Sequence, residues 1–188
     1  KLNALSTTLL GEIVTASEWL NATDVIRTVV VRGAGRAFSA GFDLNDFGAT
    51  GGPLPRDQAD LGRIAAEALA ETRPLTVAAV HGHCVGGGVV LAAACDLRIA
   101  AADARFSIPE VDLGIPLAWG GIPRLVRELG PAITKELVLT CRPFDASEAR
   151  ELRFLNRVVD ADELVAAADQ LAAELAAKPW FALRSTKM

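Results

Sequence analysis

The chain has 188 residues, a length that suits one domain. Hydrophobic residues make up 51% of it and charged residues 22%, a composition that excludes an intrinsically disordered chain. The 19 basic and 23 acidic residues leave a formal net charge of −4, which argues against a general nucleic-acid-binding surface.

The first third of the sequence predicts two helices around one strand. Apolar residues at helical spacing indicate a helix over residues 5–20, and Ser6 is placed to cap its first turn. The β-branched run at 28–31 predicts a buried strand. Three glycines and two prolines at 48–55 predict a loop, and a second helix is expected over 57–71.

The centre of the sequence holds its longest run without charge, the 22 residues from Pro74 to Cys95. A membrane helix is not expected there, because one proline, two histidines and four glycines interrupt the run. We instead predict a buried strand at 75–80, a turn, and a helix over about 87–95.

The rest of the chain continues the alternation of strands and helices. The pattern predicts a short strand at 97–100, an irregular stretch at 103–119, and helices over 122–129, 133–139, 147–152 and 162–177. Strands that alternate with helices predict an α/β fold with largely parallel strands.

The three cysteines, Cys84, Cys95 and Cys141, contain no CxxC pair. With only two histidines to join them, they predict neither a structural zinc site nor a disulfide framework. We therefore expect no metal, and a reducing cytoplasmic compartment.

Two glycine-containing turns each follow a buried strand. The first spans Ala37–Leu44 and the second His81–Gly88, which ends in three glycines. A triple glycine before a helix exposes main-chain N–H groups at the positive end of the helix dipole, where a phosphate or a developing oxyanion can bind. The spacing fits neither a dinucleotide fingerprint nor a Walker loop. Glycines that only permit tight helix packing remain an alternative.

These turns, together with Phe106–Ile115, resemble the enoyl-CoA hydratase/isomerase (crotonase) family. The similarity begins at Lys1–Leu5 and continues in chain order through residues 74–75, 95–100, 120–125 and 146–159. It implies an α/β fold of the crotonase (ClpP/crotonase) type, a spiral of ββα units with outer helices, as one domain over residues 1–188. The family's preceding strands and following helices are expected to be absent.

The resemblance also implies roles for individual residues. The main-chain N–H groups of Ala40 and Gly87 match the two donors that bind a thioester oxygen in the family, and Glu110 matches its acid/base. Val90 takes the position of a second glutamate that the family's hydratases carry, on the helix face that points into the same site, and is expected to contact the substrate. Trp119 either lines the acyl pocket or fills the core. The segment that binds coenzyme A corresponds to Ala40, Gly41, Phe42, Asp43 and Leu44, with Gly86 and Gly87; Asp43 is alternatively a helix N-cap.

One carboxylate beside an oxyanion site can take the proton alpha to a thioester and return it two carbons away. The leading prediction is therefore Δ3-to-Δ2 enoyl-CoA isomerisation with Glu110 as acid/base. Enoyl-CoA hydration in fatty-acid β-oxidation and non-catalytic acyl-CoA binding are the alternatives. Coenzyme A is then part of the substrate, and no other cofactor is expected. The resemblance further implies a homotrimer or dimer of trimers that binds neither membrane nor nucleic acid.

Four other residues carry weaker hypotheses. Asp112 is either a second acid or a solvent-facing loop residue, and His83 either lines a pocket or is packed or solvent-facing. Cys84 has no basic partner other than the two histidines, which does not favour a nucleophilic cysteine. Ser39 invites a serine-hydrolase interpretation, but the sequence has no Gly-x-Ser-x-Gly elbow around it.

Overall fold

The computed structural model of the chain describes residues 2–48 and 56–187. Residues 49–55, which make up nearly all of the predicted loop at 48–55, lie outside the described residues. The described helices are α1 (Thr7–Ala22), α2 (Leu44–Gly48), α3 (Arg56–Ala70), α4 (Gly87–Ala94), α5 (Gly121–Leu129), α6 (Pro131–Thr140), α7 (Ala146–Glu151), α8 (Leu164–Ala176) and α9 (Trp180–Lys187). The described strands are β1 (Thr28–Arg32), β2 (Leu75–Val80), β3 (His83–Val85), β4 (Leu97–Ala101), β5 (Arg105–Ser107), β6 (Phe144–Asp145) and β7 (Arg157–Val159).

A four-stranded parallel sheet in the order β1-β2-β4-β7 forms the centre of the structure. All six residues of β2 are buried, and successive side chains enter different parts of the core. Val77 and Ala79 pack with α8, whereas Ala78 and Val80 belong to the larger core that contains α4. The predicted α/β fold with parallel strands is confirmed.

A second sheet contains three short strands in the order β3-β5-β6. β3 runs parallel to β5, with Val85 opposite Ser107, and β6 is antiparallel to β5. The ring of Phe106 anchors this sheet, since it stacks on Phe144 at 5.3 Å and meets Phe154 edge-on at 6.0 Å. The sequence did not predict these strands, because two or three residues are too few to show an alternating pattern.

The charge-free centre of the sequence becomes β2, β3 and the helix α4. Every residue of α4 is buried, as its composition of glycine, valine, leucine and alanine permits. This confirms the predicted strand, turn and buried helix. None of the helices in the described ranges has both the length and the apolar character that crossing a membrane requires.

The helix ends agree with the capping signals where the sequence carried them. α1 starts two residues later than predicted, and Ser6 caps it by accepting from the Leu9 N–H at 3.2 Å. Asp46 adds a second cap by accepting from the Thr7 N–H at 2.8 Å. The sequence missed α2 and α9, because neither shows a long apolar stripe.

Arg98 is a buried cation of β4 that connects three segments of the chain. Its guanidinium donates to the carbonyl oxygens of Phe154 at 2.6 Å and Cys95 at 2.7 Å, and it pairs with Glu128 of α5. The guanidinium also lies 5.2 Å from the centroid of the Phe154 ring. Burial lowers the pKa of Arg98, and the Glu128 carboxylate opposes that change.

We predict that Arg98→Met destabilises the protein by about 3–5 kcal/mol, because it leaves Glu128 and two carbonyls without their buried partner. Urea unfolding measures the loss. The matched control is Arg127→Met, which removes a guanidinium that also pairs with Glu128 but is 63% exposed. That control should cost no more than about 1 kcal/mol. Equal losses in the two variants would contradict the role assigned to Arg98.

The helix α9 is attached to the sheet through its last residue. None of the α9 residues is buried, but the Lys187 Nζ atom donates to Pro74 O at 2.8 Å and to the Asp96 carboxylate at 2.9 Å. Asp96 also accepts from the N–H of Thr76 at 2.7 Å. These contacts fix the end of α9 beside the first residues of β2.

Candidate active site

The three-residue strand β3 aligns the segments that the sequence singled out. On one edge, Ser39 donates its N–H to His83 O and accepts from the N–H of Val85, both at 3.0 Å. On the other edge β3 pairs with β5, and the N–H of Gly86 continues the ladder to Ser107 O at 2.9 Å. Because these pairings are parallel, both glycine turns and the segment after β5 meet at the carboxyl end of β3.

Glu110 follows β5 by three residues, and its carboxylate lies directly against Gly86. A Cβ at residue 86 would overlap Oε1 and lie 3.0 Å from the carboxyl carbon, so the absence of a side chain makes room for the acid. Gly86 also has a φ of 50°, a conformation that favours glycine. Within the described residues, the buried Oε2 of Glu110 has no hydrogen-bond partner.

The surroundings of Glu110 change its acidity. Burial raises the pKa of Glu110, because removal from water penalises the charged form. Its main-chain carbonyl accepts from the N–H groups of Leu113 at 3.1 Å and Ile115 at 3.0 Å, which fixes the loop that carries the acid. A carboxylate with a raised pKa and an unpaired oxygen suits proton transfer.

Gly87 is the first residue of α4, next to the glycine that holds Glu110. Its N–H has no carbonyl four residues earlier within the helix, which leaves this donor to an acceptor outside the helix. The aligned peptide dipoles of α4 add partial positive charge at the same end. The predicted donor therefore lies on the residue next to Gly86, and the carboxylate of the predicted acid, Glu110, packs against Gly86.

The residues before α1 run beside the first glycine turn and use one of its predicted donors. The N–H of Ala40 donates to Leu2 O at 2.9 Å, and Asn3 Nδ2 donates to Ala37 O at 2.7 Å. The Ala40 N–H is thus satisfied inside the protein, and the prediction that it binds a thioester oxygen is wrong. No sequence pattern indicates this hydrogen bond, because the acceptor belongs to a distant segment of the chain.

Phe42 is held beside the segment that precedes α1. It pairs with Leu5 as a parallel bridge, in which Leu5 bonds to Gly41 O at 2.8 Å and to the Asp43 N–H at 3.2 Å. Gly41 lies against the Val85 carbonyl, so this segment passes beside the second glycine turn.

The rest of the predicted CoA-binding segment opens α2. The carboxylate of Asp43 is mostly buried and accepts from the Asn45 N–H at 3.1 Å and from Asn45 Nδ2 at 2.7 Å, as an N-cap does. The capping interpretation of Asp43 is confirmed. Leu44, the first residue of α2, is 56% exposed and accessible from solvent.

Val90 and Trp119 add apolar surface near the start of α4. Val90 is completely buried, and its Cγ2 atom lies only 2.8 Å from where a Cβ at Gly121 would lie. Because the residue is a valine, this position supplies no second carboxylate. The half-buried indole of Trp119 lies against Gly87, and it meets the ring of Phe42 edge-on at 5.8 Å. Trp119 therefore borders the candidate site.

Sequence reasoning missed Gly62, which lies within α3. A Cβ at this position would overlap the indole of Trp119, so the glycine makes room for that ring. Glycine inside a helix costs about 1 kcal/mol relative to alanine, and this cost was the available signal that something packs closely there.

The remaining candidates are committed elsewhere or face solvent. Ser39 Oγ donates to a main-chain carbonyl at 2.9 Å and accepts from the Gly41 N–H at 3.1 Å, which leaves no nucleophilic arrangement. Cys84 is buried, and burial raises the pKa of its thiol. Asp112 and His83 are exposed, which confirms the solvent-facing interpretation of both. The part of the chain that the structure describes contains no cluster of three potential metal ligands.

Comparison with known proteins agrees with this geometry. A family model described as enoyl-CoA hydratase/isomerase matches residues 1–188. The chain belongs to the enoyl-CoA hydratase/isomerase family. It is 34% identical to the crotonyl-CoA hydratase of Syntrophomonas wolfei, over 99% of this chain and 72% of that protein. It is 37% identical to the peroxisomal Δ(3,5)-Δ(2,4)-dienoyl-CoA isomerase of Arabidopsis thaliana, over 84% of this chain and 61% of that protein.

Solved structures of the enoyl-CoA hydratase/isomerase family share the fold. A Thermobifida fusca protein whose crystal structure is a complex with CoA is 35% identical, and the match covers 98% of this chain and 74% of that one with a TM-score of 0.88. The predicted crotonase fold is confirmed. Gly86, Gly87 and Glu110 thus form the candidate active site of a member of an enzyme family that contains both hydratases and isomerases.

We predict that Glu110→Gln raises the melting temperature at pH 7. The pKa of Glu110 is raised in the folded state, so the folded protein binds this proton more tightly than the unfolded chain does. The wild type therefore loses stability as the pH rises from the ordinary pKa of glutamate through the raised pKa of the folded state. Glutamine removes the buried charge, and the difference between variant and wild type should vanish as pH falls below about 4.3, the ordinary pKa of glutamate. Thermal unfolding monitored by circular dichroism across this pH range measures it.

The matched control is Asp112→Asn, which neutralises an exposed carboxylate two residues along the chain. Its effect on the free energy of unfolding should stay within about 0.5 kcal/mol at every pH. A Glu110→Gln variant less stable than the wild type at pH 7 would show that the carboxylate has a stabilising partner.

Proposed function

We propose that this protein isomerises enoyl-CoA thioesters by moving the double bond from Δ3 to Δ2. The observation that carries the proposal is one buried carboxylate, Glu110, held against the glycine turn that starts α4. Hydratases of the family use a second glutamate, and its position here holds the buried Val90. One carboxylate is sufficient to move a proton from one carbon to another. Hydration in the manner of these hydratases needs two carboxylates, and residue 90 does not supply the second.

In the proposed reaction the thioester oxygen accepts a hydrogen bond from the main-chain N–H group of Gly87. Glu110 removes a proton from C2 of the substrate, and the electron pair of that C–H bond moves through C2, C1 and the thioester oxygen to give an enolate. The enolate conjugates with the double bond at C3, and Glu110 returns the proton to C4. Donors already in place for the developing oxyanion lower the barrier without reorganisation.

The raised pKa of Glu110 fits both halves of this cycle. The residue must be ionised to take the proton, and its conjugate acid must then be able to give the proton back. As the pH is lowered, turnover should therefore begin to fall at a pH above the ordinary pKa of glutamate. The reaction needs no cofactor, because coenzyme A is carried by the substrate.

The exposed segment around Leu44 is proposed to contact the coenzyme A part of the substrate, in keeping with the Thermobifida fusca relative solved with CoA. Assembly into trimers or dimers of trimers, and a cytoplasmic location, stay predictions.

Hydration of 2-enoyl-CoA is the second candidate, since the Syntrophomonas wolfei relative is named a crotonyl-CoA hydratase.

A turnover screen over 3-enoyl-CoA, 2-enoyl-CoA and 3-hydroxyacyl-CoA tests the proposal. We expect conversion of the 3-enoyl ester to dominate, and Glu110→Gln to reduce it by about 10²- to 10⁴-fold while acyl-CoA binding is retained. Dominant hydration of the 2-enoyl ester would replace isomerisation by the second candidate. Binding without turnover of any ester would indicate a non-catalytic acyl-CoA-binding protein.

The oxyanion role of Gly87 is tested by a pair of substitutions. Gly87→Pro removes the N–H but is compatible with the first turn of a helix, whereas Gly87→Ala keeps the N–H. Both add a Cβ that collides with Trp119, so the alanine variant controls for that clash. We predict kcat to be about 10²- to 10³-fold lower in the proline variant than in the alanine variant. Equal kcat values in two folded variants would disprove the role.

A further inference from the structure

Trp119 fills a slot between α3 and α4 that exists because two glycines face it. A Cβ at Gly62 of α3 would overlap the five-membered part of the indole. A Cβ at Gly87 of α4 would overlap the six-membered part and lie 2.8 Å from Cη2 and 3.0 Å from Cε3. The ring thus spans the whole gap between the two helices at this level.

The slot begins beside the candidate acid. Gly86 touches the carboxylate of Glu110, and the next residue, Gly87, touches the indole of Trp119. The ring of Phe42 meets the indole edge-on, with the two planes at 84°. The carboxylate and the indole therefore pack against consecutive glycines of one turn, and the indole extends from there to α3.

The backbone holds the indole in this position. Trp119 has a φ of 58°, in the left-handed region that residues other than glycine rarely adopt. The turn around it is closed by a hydrogen bond from the Gly121 N–H to Ala118 O at 2.8 Å, and the preceding Leu117 is buried. The backbone conformation of Trp119 directs its side chain into the slot, and the two helices pack against both parts of the indole. The indole therefore forms a wall at this position.

We propose that Trp119 sets the upper length of the acyl chain that this site accepts. The inference rests on the proposed function, in which the reacting carbons lie at Glu110. An acyl tail that extends from there toward α3 meets the indole, which occupies the gap between α3 and α4. Short acyl groups end before the ring, whereas long ones need the space that the ring fills. Trp119 is thus a specificity-determining residue.

The test compares kcat/KM for trans-3-dodecenoyl-CoA with that for trans-3-hexenoyl-CoA. In Trp119→Ala we expect the ratio of long to short substrate to rise at least tenfold over the wild type, since each methylene given room contributes binding energy. The matched control is Trp19→Ala, which removes an indole that is 60% exposed on α1 and should leave the ratio unchanged. A folded Trp119→Ala variant whose ratio stays within twofold of the wild type overturns the proposal.

Failure of the length limit and failure of the proposed function give different results. If the wild type converts neither ester, the proposed function is wrong, and calorimetric binding of the same two esters then tests the limit. Affinity for the dodecenoyl ester should rise at least tenfold in Trp119→Ala, and affinity for the hexenoyl ester should not. If Trp119→Ala does not fold, Trp119→Leu is used, with a smaller rise expected; the absence of any rise counts against the limit.

Discussion

Main-chain hydrogen bonding along both edges of β3 is the constraint on which the site depends. This strand has only three residues, yet it carries the Ser39 segment on one side and β5 on the other. Each neighbour continues past the end of β3 into a functional segment. The relative positions of Gly87 and Glu110 therefore follow from main-chain hydrogen bonding along this strand.

A site built from main-chain donors requires close approach rather than reactive side chains. That requirement explains why glycines are concentrated at 86 and 87, and why α4 behind them consists of small and apolar residues only. Glu110 is the exception, a carboxylate that the fold holds in a partly dry position although burial disfavours its charge.

The sequence was sufficient for the parts of the fold that have long, uniform patterns. The β2 strand and the α4 helix could be predicted because an uncharged run interrupted by glycines is typical of a buried strand, a turn and a buried helix. The role of Ser6 as the N-cap of α1 could be predicted from the local preference for serine at that position. Glu110 was identified through the motif around it. The donor at Ala40 was wrong, because which N–H stays available depends on pairing with a remote segment. Gly62 was missed for the same reason, since its packing against Trp119 depends on the tertiary structure.

The attachment of α9 has a consequence for how the molecule unfolds. This helix buries none of its own residues, and its hold on the sheet centres on Lys187 and the Asp96 carboxylate. Such an element can open as a local unit at a free energy well below that of global unfolding. The contact lies at the amino end of β2, whereas the acid and the glycine turn lie past the carboxyl end of β3. Local opening of α9 is therefore expected to leave the reactive centre undisturbed, so that amide exchange in α9 and turnover are independent properties of the protein.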